Sequence, residues 1–446
     1  MKNWRGATLV YFDRRVLAVL FLGFSSGLPF GVLAEPLSAW LASAGVSKTN
    51  IGLFALISLP YALKFLWAPI MDRVPLPVVT RHLGRRRGWV LVTQIFLIAA
   101  ICRMGLCDLA DSLWWTAVFA LAVSFSSASQ DIVVDAYRVE ILADDQLAAG
   151  AAMAINGWRL ASWGGAAFAL ILSDIVSWPF VFFCLGLGVL IGTITILLNP
   201  EPAKPESGEA MELERRAEEF LERNGHLPDW LARAGAWLYG AVACPFIEFM
   251  MRPHWLAILL FILLYKFGDA VLTMMKIPFF LEIGFSNTEI GTIAKLVGFP
   301  PIILGGLFGG ILLAKIGIMR GLLISGIFMA ASNLLFILQA WMGHDGTMLA
   351  VTVAVENFTT SMGTVAFTAY LSSLCNIAYT ATQYALLTSF MAFSRTVMSS
   401  GAGWVADHVG WVTFFLLTTL AALPGLLLLM WMIRLYPPHR RPHQPG

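Results

Sequence analysis

The chain has 446 residues, of which 58% are hydrophobic and 13% are charged. Soluble domains carry about 25% charged residues, so this composition, with a mean hydropathy of +0.76, indicates a polytopic membrane protein. The formal net charge of +2 is close to neutral, which argues against a nucleic acid as a partner.

Runs of about 20 apolar residues predict membrane-spanning helices. The pattern predicts an all-α polytopic membrane protein with twelve transmembrane helices in two six-helix halves. We place an N-terminal bundle at 1–198, a cytoplasmic linker with an amphipathic helix (209–223) at 199–251, a C-terminal bundle at 252–434 and a cytoplasmic tail at 435–446. The candidate spans are 16–41, 51–71, 89–107, 113–140, 147–173, 177–198, 253–281, 289–313, 318–342, 347–372, 380–405 and 411–434.

The basic residues predict the orientation. With twelve spans, the segments rich in arginine and lysine all fall on one side, and the opposite loops carry almost none beyond Lys48. Positive charge marks the cytoplasmic side, so both termini are predicted to be cytoplasmic. The five cysteines lie in or beside apolar segments without CxxC spacing, which predicts buried reduced thiols and no metal site.

The first span carries three glycines at four-residue spacing and two prolines. Gly23, Gly27 and Gly31 lie on one face, where small residues let two helices approach closely. Pro29 and Pro36 predict a bend in the same span.

The fourth predicted span, 113–140, contains two carboxylates. Asp131 and Asp135 are four residues apart and therefore lie on one face of the helix. A charged group at bilayer depth costs roughly 3 kcal/mol or more, so such groups line polar paths, bind protons or pair with buried cations. The pair therefore indicates transport. Ser124, Ser127 and Arg138 continue the same polar stripe.

The two carboxylates are predicted to differ in role. Asp135 lies one turn from Arg138, which can neutralise it, so Asp135 fits a gate or an ion pair. Asp131 lies nearer the middle of the span and is the better candidate for binding a proton or cargo. A structural ion pair of Asp131 with Lys64 or Arg159 is the alternative.

Further charges lie near the middle of other predicted spans. Lys266 and Asp269 are three residues apart and can pair, either as a structural contact or as part of transport. Arg159 and Arg395 occupy matching positions in the two halves, and the planar fork of arginine suits carboxylate recognition. The candidate proton-coupling residues are Asp131, Asp135, Asp269 and Glu356.

The loop between spans two and three resembles the Asp-Arg-x-Gly-Arg-Arg loop of the major facilitator superfamily. Asp72-Arg73 is followed, after an insertion, by Gly84-Arg-Arg-Arg-Gly88. In that superfamily the acid and the bases of this loop hold the two halves together on the cytoplasmic side. A basic anchor that fixes orientation is the simpler interpretation. The candidate residues of a cytoplasmic gate are Asp72, Arg73, Arg85, Arg86 and Arg138.

The chain resembles the AmpG family of muropeptide permeases, within the major facilitator superfamily, along both halves. The matching strings are Gly27-Leu-Pro29, Lys64-Phe-Leu-Trp-Ala-Pro-Ile-Met-Asp-Arg73, Gly84-Arg-Arg-Arg-Gly-Trp89, Ser127-Ala-Ser-Gln-Asp-Ile-Val-Val-Asp-Ala136, Gly150-Ala-Ala, Tyr265-Lys-Phe-Gly-Asp-Ala270, Gly309-Gly-Ile-Leu, Ala331-Ser-Asn333, Glu356-Asn357, Met362-Gly-Thr and Ala381-Thr-Gln-Tyr-Ala-Leu-Leu387.

The resemblance implies proton-driven import of GlcNAc-1,6-anhydro-MurNAc peptides from the periplasm to the cytoplasm for peptidoglycan recycling, linked to β-lactamase induction. It implies a multi-pass protein of the bacterial inner membrane, working as a monomer with protons, muropeptide and lipid bilayer as partners. No cofactor is expected beyond the proton gradient, and no enzymatic activity, because the histidines fall in loops or at span ends.

The expected cargo carries carboxylates, hydroxyls and acetamides, and side chains that suit each group occur in the spans. Amides bind hydroxyls and acetamides, and aromatic rings stack on sugars, although packing is the commoner role of a buried ring. A different cargo on the same fold, such as acetyl-coenzyme A, is the alternative. The candidate substrate-binding residues are Lys64, Gln130, Arg159, Tyr265, Lys266, Asn357, Gln383 and Arg395.

Overall fold

In the computed structural model, the described residues are 4–47, 50, 53–109, 113–202, 215, 239, 243–399 and 401–435, and they form helices and no β-strand. The helices up to residue 198 are α1 (Trp4–Leu9), α2 (Arg14–Leu33), α3 (Glu35–Ser43), α4 (Leu59–Leu63), α5 (Ala68–Arg73), α6 (Val79–Leu83), α7 (Arg85–Gly105), α8 (Leu113–Ile141), α9 (Leu147–Ser173), α10 (Trp178–Gly188) and α11 (Leu190–Leu198). Those that follow are α12 (Cys244–Met250), α13 (Trp255–Leu264), α14 (Phe267–Glu282), α15 (Asn287–Thr292), α16 (Phe299–Ile316), α17 (Ile318–Met342), α18 (Gly346–Leu374), α19 (Thr380–Ser399), α20 (Ala402–Val409), α21 (Trp411–Ala421) and α22 (Leu423–Leu435).

The described helices agree with most of the predicted spans. Eight helical stretches are long and apolar enough to cross a membrane. Three further predicted spans correspond to the long helices α9, α18 and α19. Within the predicted span at 51–71, the described residues 53–71 form not one helix but a chain of short helical turns, in which Pro60 and Pro69 begin new pieces. The count of twelve spans and the cytoplasmic termini stay predictions.

The predicted bend of the first span is confirmed. α2 ends at Leu33, the φ of −84° and ψ of −106° of Ala34 are not helical, and α3 begins at the next residue. Pro36 contributes to the break, because it has no N–H for the carbonyl of Val32 and its ring would clash with that carbonyl in a continuous helix. Pro29 lies inside α2 without ending it.

The glycine face of α2 packs against α9, as its spacing predicted. A Cβ at Gly27 would overlap the backbone carbonyl of Trp158, and one at Gly31 would lie 2.6 Å from the carbonyl oxygen of Ser162. Gly23 meets Ala154 in the same way, one turn earlier. The two backbones are therefore in direct contact along two turns of each helix.

Contacts divide the chain into two units, and each has its own apolar core. The N-unit comprises Thr8–Arg252 and Leu371–Ser389, and the C-unit comprises Met1–Ala7, Pro253–Tyr370 and Phe390–Gly446. The N-unit core is built around Trp40, Leu97, Ile101 and Phe182, and the C-unit core around a cluster of phenylalanines on α14, α17 and α21.

The contacts thus assign residues 371–389, which lie within the predicted C-terminal bundle, to the N-unit. The predicted boundaries at 198 and 252 stay predictions. All of the predicted amphipathic helix at 209–223 except residue 215, and nearly all of the predicted tail, lie outside the described residues.

Replacing Gly27 by alanine tests the close contact of α2 and α9. We expect Gly27→Ala to lower the free energy of unfolding by about 1–3 kcal/mol, because the added methyl group has no room against a backbone carbonyl. Thermal unfolding in detergent measures the effect.

Gly164→Ala is the matched control, since a Cβ at Gly164 on α9 meets nothing within 4 Å. That variant should be as stable as the parent or more stable by up to about 1 kcal/mol, since alanine favours a helix. Equal stability of the two variants would contradict the packing interpretation.

Candidate functional site

The two carboxylates of α8 have different partners. Asp135 lies 3.3 Å from the guanidinium of Arg138 and 3.9 Å from the ammonium of Lys64. Asp131 accepts a hydrogen bond from the hydroxyl of Ser26 on α2 and forms no salt bridge among the described residues. The predicted pairing of Asp135 with Arg138 is confirmed, and Lys64 forms its salt bridge with Asp135 rather than with Asp131.

The broken segment at 54–73 supplies the polar groups that line α8. Lys64 lies in the short turn Lys64–Leu66 and is mostly buried. Tyr61 donates a hydrogen bond to Ser127 at 2.8 Å, and the indole of Trp67 donates one to Ser129 at 3.1 Å. Short helical pieces in place of a regular helix therefore bring three polar side chains into contact with α8.

Gln130 lies between these groups in the sequence and is fully buried. Neither its amide nitrogen nor its amide oxygen bonds a described residue. Buried polar side chains are normally hydrogen-bonded, so Gln130 keeps its place among the predicted cargo contacts.

Arg138 connects α8 to the segment 371–389 of the N-unit. Its guanidinium donates to the hydroxyl of Ser372 at 3.0 Å and lies over the ring of Tyr384, 5.2 Å from the centroid. The side chain is 1% exposed. Asp135 and a cation–π contact thus compensate the charge of a buried arginine.

A second buried cluster surrounds Asp72 at the end of α5. The guanidinium of Arg86 lies 2.7 Å from Asp72 and also binds the carboxylate of Glu140 at the end of α8. Arg85 donates to the backbone carbonyl of Asp72. Arg73 does not reach this carboxylate and lies over the ring of Tyr379, 5.6 Å from the centroid.

Asp72 also accepts hydrogen bonds from the start of α19. Its carboxylate accepts hydrogen bonds from the backbone N–H of Ala381 at 3.2 Å and of Thr382 at 2.7 Å, and from the Thr382 hydroxyl at 2.6 Å. The first N–H groups of a helix have no partner within the helix, and the helix dipole favours a negative charge there. Asp72 therefore acts as the cap of α19.

Glu201 does the same for α7. Its two carboxylate oxygens accept hydrogen bonds from the backbone N–H groups of Arg86 and Arg87, at 2.7 Å and 3.0 Å. Gly84 precedes the helix with φ of +90°, and a Cβ at that position would overlap the Glu201 side chain. The start of the linker is thus fixed to the arginine-rich turn.

The C-unit holds a ladder of charged and hydroxyl groups between α14 and α18. Lys266 lies 3.6 Å from Asp269, which confirms the predicted pair. The ammonium of Lys266 donates to Thr364 at 2.7 Å, and Asp269 accepts from Thr360 at 2.9 Å. A cavity of about 10 Å³, the size of one water molecule, lies beside Asp269 and Asn333.

Lys276, which the sequence analysis did not single out, pairs with Glu356. Its ammonium lies 3.3 Å and 3.5 Å from the two carboxylate oxygens. The side chain of Lys276 is 26% exposed and that of Glu356 is 4% exposed. Lys276 continues the spacing of Lys266, Asp269 and Thr273 along one face of α14, and that helical spacing was the signal that could have found it.

Two of the other predicted substrate-binding residues, Tyr265 and Asn357, are hydrogen-bonded within the protein. Tyr265 donates to the carbonyl of Leu322 and stacks on Phe367, so its ring is part of the C-unit core. Asn357 donates to the carbonyl of Gly298 at 3.1 Å. Arg159 is half-buried and Arg395 is exposed.

Gln383 lies in the N-unit, where both its amide nitrogen and its amide oxygen form hydrogen bonds. It donates to the carbonyl of Pro245 at 3.2 Å and to Glu248, and it accepts from the backbone N–H of Asn376 at 2.7 Å. These contacts connect α12 to the start of α19.

Comparisons with known proteins agree with this architecture. A family model described as "Acetyl-coenzyme A transporter 1" matches residues 15–114, and one described as "Major Facilitator Superfamily" matches residues 255–446. The chain is 36% identical to the anhydromuropeptide permease of Escherichia coli K12 over 423 residues, which are 94% of this chain and 80% of the relative. It is 31% identical to the putative transporter AmpG 4 of Rickettsia felis, covering 95% of this chain and 98% of the relative.

The chain belongs to the AmpG family of anhydromuropeptide permeases.

Solved structures show the fold. The chain resembles the E. coli fucose:proton symporter FucP with a TM-score of 0.64 at 12% identity, covering 95% of this chain and 98% of that one. It resembles the proton:xylose symporter XylE with a TM-score of 0.61 at 13% identity, covering 96% and 95%. The protein therefore has the major facilitator fold, and it is a multi-pass membrane transporter and not an enzyme, as its permease relatives indicate.

A double-mutant cycle tests the cap of α19 in this family member. We expect Asp72→Asn and Thr382→Val to show a coupling energy of about 1.5–3 kcal/mol in thermal unfolding, the range of hydrogen bonds to charged groups.

Thr388→Val is the control for that cycle, because the Thr388 hydroxyl bonds only backbone carbonyls of its own helix. Its coupling to Asp72→Asn should be near zero. A coupling energy near zero for Thr382 as well would show that Asp72 does not hold α19.

Proposed function

We propose that the protein imports GlcNAc-1,6-anhydro-MurNAc peptides from the periplasm to the cytoplasm, driven by the proton gradient. The observation that carries the proposal is the 36% identity to the E. coli anhydromuropeptide permease over 94% of the chain. We infer that it acts in the bacterial inner membrane as a monomer with twelve spans and cytoplasmic termini. Its products feed peptidoglycan recycling and, through it, β-lactamase induction.

The charges of the described residues suit a cargo of mixed polarity. In each unit the buried cations are matched by carboxylates, so neither unit presents a cluster of free bases. Lys64 and Arg138 both pair with Asp135, one helical turn from Asp131, while Lys266 pairs with Asp269 and Lys276 with Glu356. A phosphate-rich cargo calls for an excess of bases, whereas a glycopeptide needs single cations for its carboxylates and amides for its sugars.

Asp131 is the best candidate for the proton site. It is the carboxylate of the α8 pair that forms no salt bridge in the described part of the chain, and a hydroxyl of Ser26 bonds it. A carboxylate without a fixed cation can gain and lose a proton without breaking an ion pair. Asp135, Asp269 and Glu356 each have a cation, so their protonation changes a contact as well as a charge.

Acetyl-coenzyme A is the second candidate cargo. The match of residues 15–114 to the acetyl-coenzyme A transporter model favours it. That match covers the first three predicted spans, whereas the permease relatives match the chain almost throughout.

Uptake into right-side-out vesicles separates the two cargos. We expect a labelled GlcNAc-1,6-anhydro-MurNAc peptide to accumulate in vesicles that contain the protein, because the permease relatives match both halves of the chain. A protonophore should abolish the accumulation, and vesicles without the protein serve as the control. Accumulation of labelled acetyl-coenzyme A and not of the peptide would establish the second candidate.

Asp131→Asn tests the proton site in the same vesicles. We expect the variant to lose accumulation while keeping exchange of labelled for unlabelled cargo, since exchange returns the carrier loaded and needs no net proton transfer. Asp144→Asn, an exposed position in the turn after α8, should leave both activities unchanged. Normal accumulation by Asp131→Asn would remove Asp131 from proton coupling.

A further inference from the structure

We propose that Lys276 binds a carboxylate of the cargo peptide by exchanging it for Glu356, and that a proton taken up by Glu356 makes the exchange possible. The inference rests on the proposed import of anhydromuropeptides. It identifies one cation of the C-unit as a specificity-determining residue and the peptide carboxylate as the group that it recognises.

The contact between Lys276 and Glu356 is longer than a typical charge-assisted hydrogen bond. Charge-assisted N–H···O bonds are usually about 2.7–2.9 Å long. The Lys276 ammonium lies 3.3 Å and 3.5 Å from the Glu356 oxygens, whereas Arg86 and Asp72 meet at 2.7 Å with both side chains 1% exposed. The Lys276–Glu356 pair is therefore loose, and it is the kind of pair that a second carboxylate can replace.

The ammonium of Lys276 has few hydrogen-bonding partners in the described part of the chain. Among the described residues, Glu356 is the one hydrogen-bonding partner of the Lys276 ammonium, which has three N–H donors. Lys266, by contrast, is held by Thr364 as well as by Asp269. Lys276 thus has free donors, and its exposed fraction exceeds that of its partner more than sixfold.

The backbone of the span that carries Lys276 is irregular. Pro278 lies inside α14, where its ring cannot donate the hydrogen bond that the carbonyl of Met274 would accept. The same span is interrupted just before α14, at Lys266, whose φ of −104° and ψ of 12° are not helical. Transporters form their binding sites on such broken helices, where the backbone is able to move.

The charges around Glu356 set the proton balance. Among the described residues, the charged side chains that act on it are Lys276 and Asp269 of α14 and Lys266, which directly precedes that helix. Unprotonated, Glu356 neutralises Lys276. When Glu356 takes a proton, it becomes a neutral acid and Lys276 remains a cation, which a cargo carboxylate then neutralises. One proton and one carboxylate enter together, and both leave on the other side.

The test compares a GlcNAc-1,6-anhydro-MurNAc peptide with the same compound whose peptide carboxyls are all amidated. In Lys276→Gln we expect affinity for the free-acid peptide to fall about ten- to a hundredfold, the range of a lost charge-assisted hydrogen bond. Affinity for the amidated peptide should not change. Lys276→Arg should keep the preference for the free acid.

Glu356→Gln tests the proton step, because glutamine mimics the protonated acid. The purified parent protein should bind the free-acid peptide more tightly at pH 6 than at pH 8, and Glu356→Gln should bind it equally well at both. The double variant Lys276→Gln/Glu356→Gln removes both charges of the pair, so neither is left without a partner. It therefore tests the loss of preference for the free-acid peptide even where the single variant Lys276→Gln folds poorly. Lys315→Gln, at the end of α16, is the control for a lost lysine.

The outcomes separate this inference from the proposed function. If the parent protein transports the free-acid peptide and the double variant still prefers it over the amidated one, the role of Lys276 is wrong and the function stands. If the parent neither binds nor transports either peptide, the function itself is wrong. A preserved pH dependence of binding in Glu356→Gln would overturn the proton exchange.

Discussion

The buried carboxylate of Asp72 is the contact on which the order of the N-unit depends. A charge out of water is stable only with partners for its lone pairs. Asp72 finds them in the guanidinium of Arg86 and in the first N–H groups of α19, and Arg86 in turn binds Glu140 at the end of α8. Removing one member leaves the others buried without a partner, so the cluster forms as a whole or not at all. Through it α5, α7, α8 and the segment 371–389 share one electrostatic centre, and this explains why a piece of the second half of the sequence belongs to the N-unit.

Among the described residues, two contrasting kinds of ion pair differ in length and exposure. Arg86 meets Asp72 at 2.7 Å with both side chains fully buried, and backbone groups complete the set. Lys64 with Asp135 and Lys276 with Glu356 are longer, at 3.9 Å and 3.3 Å, and each has one partly exposed member. Close pairs whose hydrogen-bonding groups all have partners stabilise the structure, because breaking them leaves a buried charge without a partner. Long, unsaturated pairs cost less to exchange, and they occur where the transport residues were expected. The long pairs are therefore the ones that we propose to exchange during transport.

The sequence predicted the contacts that are set within one helix or by one repeated spacing. The Asp135–Arg138 and Lys266–Asp269 pairs follow from three-residue spacing, and the α2–α9 contact follows from glycines at every fourth position. It did not predict that Lys64 would reach Asp135, that Asp72 would cap α19, or that Lys276 would meet Glu356. Those partners are 71, 310 and 80 residues apart, and their contact depends on how distant helices align in the folded chain. The division of the segment at 54–73 into short turns was not predicted either, because its apolar composition is that of a regular span. Its prolines nevertheless interrupt the helix.

In the transport mechanism that we propose, electroneutrality links protons to cargo in both units. In the N-unit, Lys64 and Arg138 balance Asp131 and Asp135, and in the C-unit, Lys266 and Lys276 balance Asp269 and Glu356. Either set is neutral when all four groups are charged. A proton on one carboxylate leaves one cation in excess, and a buried excess charge is costly in a membrane. An anionic group of the cargo removes that cost, whereas a neutral cargo does not. A proton alone or an anion alone is therefore disfavoured in each set, and the two together are allowed. On this argument coupling requires no dedicated relay between proton site and cargo site, because the balance of four charges already makes each ligand the condition for the other.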